Sequence, residues 1–249
     1  MAGHSHWAGI KHKKAVVDAK RVKVFGKLSK AIIVAARHGG GDPAANLSLR
    51  YAIDKAKAAN MPRDTIERAV RKGTGELDGE DISELTYEGY APGGAGILIQ
   101  AVTDNPNRTA PEVRSILEKR GGSLGKQGSV AWNFEKKALL TVKARGVDEE
   151  ELMETALDAG AEDIAREGEA FAVTGPPDAF GALTEALEEA GIAPETKDVT
   201  FLPKSTVPLT ADDARKVVEI IAALEDHDDV QSAITNGDLP DEVLAELNA

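Results

Sequence analysis

The sequence predicts an α+β protein. An N-terminal helical bundle precedes two α+β domains, and the ferredoxin-like one is inserted in the other. Three observations carry this. The apolar period is 3.6 through the first 75 residues and changes to 2 from about residue 85. Residues 137–203 read β-α-β-β-α-β and are complete in themselves. The unit before them, 80–136, lacks a last helix and strand, which 204–249 can supply. A length of 249 residues accommodates two or three such domains. The expected division is therefore 1–75, 80–136 with 204–249, and 137–203.

The first helix follows from Phe25, Leu28, Ile32 and Ala35, spaced three, four and three. Lys20, Lys23, Lys27 and Lys30 repeat the same spacing on roughly the opposite side, and Arg37 extends their line. Glycines in "HGGGDP" end this helix. Asp42 is the expected N-cap of the next, with Pro43 at its first position and Leu49, Ile53 and Ala56 inward. "NMP" stops it near Ala59. A third helix then starts at Asp64 or Thr65 and ends at Gly73.

"GTGELDGEDI" reads as a linker. "LTYEGY" and "GILIQAV" are expected strands around a hairpin turn, "APGGAG". In "TDNPNRTAPE" a capping box of Thr109 and Glu112 is expected to start a helix. Alternating Val130, Trp132 and Phe134 suggest a half-buried strand. Farther on, Phe180, Leu183, Leu187 and Ala190 mark a helix, as do Val217, Ile220, Ile221 and Leu224. "DVQSAI" is the closing strand.

The formal net charge of −12 hides a segregation. Residues 1–75 hold sixteen Lys and Arg against five acids, a net of +11. The remainder holds fourteen bases against thirty-seven acids, a net of −23. Such asymmetry separates a polyanion-binding part from a solubilising or partner-binding part. With no cysteine, disulfides, thiolate catalysis and Cys-ligated metals are excluded. No apolar run near the start is long enough for a membrane span or a signal peptide, so a cytoplasmic protein is expected.

The candidate binding residues lie in the basic part. "KHKK" and the first helix offer Lys11, Lys13, Lys14, Lys20, Lys23, Lys27, Lys30 and Arg37 to phosphates, with Trp7 and His12 at the tip. Arg63, Arg68, Arg71 and Lys72 add to them. The alternative for any charge run is a solvated helix face. His4 and His6 have no further ligand at metal spacing, and no metal or cofactor is expected. A second polar site is conceivable at Asp104, Asn105, Asn107, Arg108 and Thr109, where a strand meets a helix N-terminus. Turn and capping chemistry explains the same residues. The acidic runs "DEEE" and "EDHDD" read as solvated helix ends. No elbow motif fixes a nucleophile beside a base, so no enzyme is expected.

The stretches "GHSHWAGIKHKKAVVDAKR", "GGGDPAANLSLRYAIDKAKAANMPRDTIERAVRKGTG", "YEGYAPGGAGILI", "TDNPNRT", "EKRGGSLGKQGSVAWNF" and "DDVQSAITN" together resemble the YebC/PmpR family over nearly the whole chain. His6 stands where that family usually has Lys, and Ile234 where an aromatic is common. The resemblance implies three domains arranged as above and a cytoplasmic DNA-binding transcriptional regulator. It equally implies kinship with members linked to translation and the ribosome. Either function needs nucleic acid, DNA or RNA, as a partner. A protein-binding adaptor using its acidic domains is the further alternative. No membrane partner is expected.

Overall fold

The computed structural model describes residues 20–78 and 82–248. Three helices open it: α1 (Lys20–Gly39), α2 (Leu47–Ala58) and α3 (Arg63–Gly73). Their apolar stripes meet in one core that contains Ile32, Ala36, Leu49, Ile53, Ile66 and Ala69. The cap of α2 is Asn46, not Asp42. Its side-chain oxygen accepts from the Leu49 amide at 3.1 Å, and its Nδ2 donates to the Ala35 and Gly40 carbonyls, both at 2.8 Å. Asp42 instead forms a turn, accepting the amide of Ala44 on its carboxylate and those of Ala45 and Asn46 on its carbonyl.

Gly73 lets α1 and α3 touch. A Cβ there would lie 2.5 Å from the Ile33 carbonyl oxygen and 2.6 Å from the Ala36 Cβ. The obstacle is backbone, which cannot swing aside. Gly73→Ala is therefore expected to destabilise the protein by about 1–2 kcal/mol through overpacking. A thermal midpoint equal to that of the wild type would show that the helices can separate without cost.

Next come β1 (Ser83–Tyr90) and β2 (Gly96–Thr103), α4 (Pro106–Glu118), and the two-residue β3 (Ser123–Leu124). The inserted domain holds β4 (Phe134–Lys143), α5 (Glu149–Asp158), β5 (Asp163–Glu167), β6 (Ala170–Gly175), α6 (Phe180–Glu189) and β7 (Thr196–Pro203). The chain then returns through β8 (Val207–Pro208), α7 (Ala211–Asp226), β9 (Val230–Thr235), β10 (Gly237–Asp238) and α8 (Asp241–Asn248).

Two four-stranded sheets result. The first has the order β3-β1-β2-β9, so its last strand comes from beyond the insertion. The second has the order β5-β6-β4-β7, with every neighbouring pair antiparallel. That is the ferredoxin-like arrangement, in which the third strand of the unit lies between its first and second. Helices α4 and α7 cover one face of the first sheet, where Ile97, Ile99, Val113, Leu117, Val217 and Ile220 are fully buried. On the other face Leu98, Val130, Phe134 and Ile234 pack with Phe201 and join the two sheets. Ile234 is thus a core residue, and the missing aromatic there has no exposed role to fill.

The β1–β2 hairpin turns at Pro92-Gly93-Gly94, pairing Tyr90 with Gly96. Gly93 has φ +75°, and a Cβ on it would stand 2.5 Å from a Leu209 methyl. Both backbone and space require glycine. The expected strand through Trp132 is instead a 3-10 turn over Ala131–Asn133, and β4 begins only at Phe134.

Candidate functional site

The lysine row of α1 faces an acidic segment some two hundred residues away. Lys23 Nζ lies 3.3 Å from the Asp226 carboxylate and 3.8 Å from that of Asp228. Lys27 Nζ donates to the Glu225 carbonyl. Lys30 Nζ reaches the Asp229 carboxylate at 2.6 Å. Helix α7 ends at Asp226, so its free carbonyls and these carboxylates present negative charge to the row together. The segment "EDHDD" is therefore not a solvated helix end.

Asp229 is the centre of this junction and is 2 % exposed. One carboxylate oxygen takes Lys30. The other accepts from Arg108 at 2.8 Å, Thr109 at 2.8 Å and Thr103 at 3.1 Å. Burial alone would raise its pKa. The hydrogen bonds from Arg108, Lys30 and Thr109 outweigh burial and hold it well below the usual carboxylate range.

The same carboxylate engages Thr103, Arg108 and Thr109 of "TDNPNRT". Asn105, not Thr109, caps α4, its side chain accepting from the Arg108 amide at 3.2 Å, and Pro106 follows at the first helical position. Thr109 lies inside the helix, buried, with its hydroxyl committed to Asp229 and Thr103. Arg108 bridges Asp104 and Asp229, both at 2.8 Å. Asn107 stays exposed in the first turn. Of these five residues, Arg108 and Thr109 bond a protein carboxylate directly and Asp104 is tied to it through Arg108, so they do not form an open anion cradle.

Elsewhere in the expected binding set, Arg37 donates to the Ile82 carbonyl at 2.6 Å, and neighbouring His38 meets Glu84 at 2.6 Å. The backbone of Lys20 starts α1. Trp7, Lys11, His12, Lys13 and Lys14 lie outside the described residues. Among the described residues no cluster of three or more His, Asp or Glu could hold a metal. No described helix is long and apolar enough to cross a membrane.

The outward face of α3 is different. Arg63 pairs with Glu67 on its own helix, and Arg71 with Glu76. Arg68 and Lys72 are exposed, and no ion pair is formed by either among the described residues.

Two further features are not apparent from local pattern. Glu88 is 4 % exposed, and its carboxylate accepts the amides of Gly128 and Val130 at 2.6 Å and of Ala131 at 2.8 Å. Burial pushes its pKa up, and these backbone bonds bring it below the ordinary value. The loop so anchored carries Trp132. A readable signal did exist: residues 119–137 hold five Lys and Arg against one acid, a basic island in the acidic part.

Fold and site together define a three-part α+β protein whose basic bundle is clasped by an acidic helix end. The N-terminal domain profile of the TACO1/YebC protein matches residues 5–76, and the profile of the TACO1/YebC second and third domain matches 82–237. The chain belongs to the TACO1/YebC family. It is 52 % identical over 246 residues to a "Probable transcriptional regulatory protein" of Desulfatibacillum aliphaticivorans, covering 99 % of this chain and all of that one. A relative of the same name from Natranaerobius thermophilus is 51 % identical, covering 98 % of this chain and 99 % of the relative. The crystal structure of a conserved hypothetical protein from Aquifex aeolicus superposes with a TM-score of 0.84 at 48 % identity, covering 95 % of this chain and 98 % of the other.

Proposed function

We propose that this chain is a nucleic-acid-binding regulator of gene expression, acting on DNA as a transcriptional regulator through its N-terminal bundle. The observation that carries the reading is the surviving basic face. After the α1 lysines are engaged internally, α3 still presents Arg68 and Lys72, with Arg63 and Arg71 held only by exposed acids of the bundle itself. Clustered cations of this kind release counterions when they meet phosphates. The names of the relatives support a regulatory role. Phosphate contacts position a protein without reading sequence, so specificity comes from nucleic-acid shape or from a partner.

Lys23 and Lys27 take part only if phosphates displace the carboxylates and carbonyls of 225–228. Lys30 is held by a buried acid and acts structurally. The net of −23 over the remaining domains repels a long duplex footprint. That observation favours a second reading, a translation factor contacting ribosomal RNA, where cationic proteins flank the phosphates.

Binding is expected to weaken steeply as salt rises from low to physiological, and Arg68→Glu with Lys72→Glu to flatten that dependence by about 0.9 in log–log slope per lost contact on duplex DNA. Affinity that does not fall with salt would sink the proposal. Crosslinking in cells then separates the two readings, promoter DNA supporting the first and ribosomal RNA the second.

A further inference from the structure

Trp132 is 68 % exposed and Tyr90 is 39 % exposed, the two described aromatic side chains most open to solvent. Neither is adrift. The Trp132 indole N–H donates to the Ser129 carbonyl at 3.1 Å, and the Tyr90 hydroxyl donates to the same oxygen at 3.2 Å. One carbonyl therefore satisfies the polar end of both rings and leaves aromatic surface to solvent. Exposing a ring this way forfeits the burial that a tryptophan normally gains, so packing within the chain does not explain it.

The support beneath the rings is rigid. Ser129 sits between Gly128 and Val130, whose amides are fixed by the buried Glu88 carboxylate. Tyr90 ends β1 and is tied to β3 through its pairing with Ser123. Two exposed lysines lie on the adjoining backbone. Lys126 is exposed, and its carbonyl takes the Ser129 amide at 3.1 Å. Lys204 is exposed, and its amide donates to the carbonyl of Asn133, the residue after Trp132.

A preorganised aromatic pair with flanking lysines has the composition of a base-stacking platform. Aromatic faces accept any nucleobase, and the lysines meet the backbone between bases. An apolar protein partner would be served by aliphatic neighbours, which this loop, "GKQGS", does not offer. We propose that Trp132 and Tyr90, with Lys126 and Lys204, form a second nucleic-acid site, separate from the basic bundle, that stacks the bases of a single-stranded segment. The inference rests on the reading of the chain as a nucleic-acid-binding protein.

The test uses the full chain and an oligouridylate of about ten nucleotides carrying 4-thiouridine. Trp132→Ala is expected to weaken binding roughly tenfold, whereas Trp132→Phe, which keeps a ring, stays within about twofold of the wild type. Photocrosslinks are expected within residues 127–136. Unchanged affinity in Trp132→Ala, with crosslinks confined to the bundle, would overturn the platform and leave the proposed function standing. A wild-type chain that binds neither this oligonucleotide nor duplex DNA would overturn both. Capture of a protein through Trp132, with oligonucleotide binding indifferent to its removal, would make the patch a protein-docking surface and reject the inference.

Discussion

Asp229→Asn is expected to lower stability by about 3 kcal/mol, near the lower end of the cost of breaking a buried ion pair. For a protein of this size that corresponds to a thermal midpoint lowered by roughly 6–12 °C. The reason lies in the number of groups that depend on one carboxylate. Lys30, Arg108, Thr103 and Thr109 all donate to it. An asparagine offers one acceptor where there were two and turns an N–H₂ toward donors. It also removes the carboxylate that Lys30 meets at 2.6 Å. The effect is pH-dependent with a definite sign. The folded pKa of Asp229 lies below its unfolded value, so its stabilisation is complete above an unfolded pKa of about 3.9 and fades as pH falls toward the folded one. The gap between wild type and variant should therefore be widest near neutrality and narrow in strong acid. Thermal denaturation by circular dichroism across that range measures it. A gap that widens on acidification would show that Asp229 is not the ionised centre described.

Glu88→Gln is the second large effect, expected at about 2–3 kcal/mol. Three backbone amides converge on the carboxylate, and a glutamine amide must point its own donor at one or more of them. The cost falls on a definite segment. Exchange of the Gly128, Val130 and Ala131 amide hydrogens should accelerate at least tenfold, because every 1.4 kcal/mol lost from a local opening is a factor of ten. Protection at these three amides equal to the wild type would mean that the loop holds itself. Glu88 shares the sign of Asp229: its depressed pKa makes its contribution one that acid removes.

What the sequence made legible is what depends on near neighbours. Spacings of three and four placed the helices of the bundle, and the change of period located the start of the first sheet. The ferredoxin-like order followed from the succession of elements alone. Errors came where a distant group overrides a local preference. Thr109 with Glu112 has the form of a capping box, but the Thr109 hydroxyl is taken by Asp229, 120 residues on. Asn105-Pro106 was the better local signal, an N-cap residue followed by the residue favoured at the first helical position. Val130, Trp132 and Phe134 alternate as a strand should, yet Glu88 draws the Val130 and Ala131 amides inward and bends the segment into a turn. The lysine row and "EDHDD" were both visible as charge, but nothing in either announces that they face each other.

The bundle also touches the inserted domain. Tyr51 of α2 packs edge-on against Phe180 with ring centroids 4.3 Å apart, while Arg50 meets Glu185 and Lys55 meets Asp198. Since the bundle is clasped at Asp229 as well, and the two sheets meet through Phe134 and Phe201, the three bodies are joined pairwise. Three bodies joined in a row can swing about each joint, whereas three joined in a triangle cannot turn about one corner without opening another. The short contact at Lys30 therefore acts as a brace. It ties the bundle to the edge of the first sheet, whose strand β2 bonds the same aspartate through Val102 and Thr103.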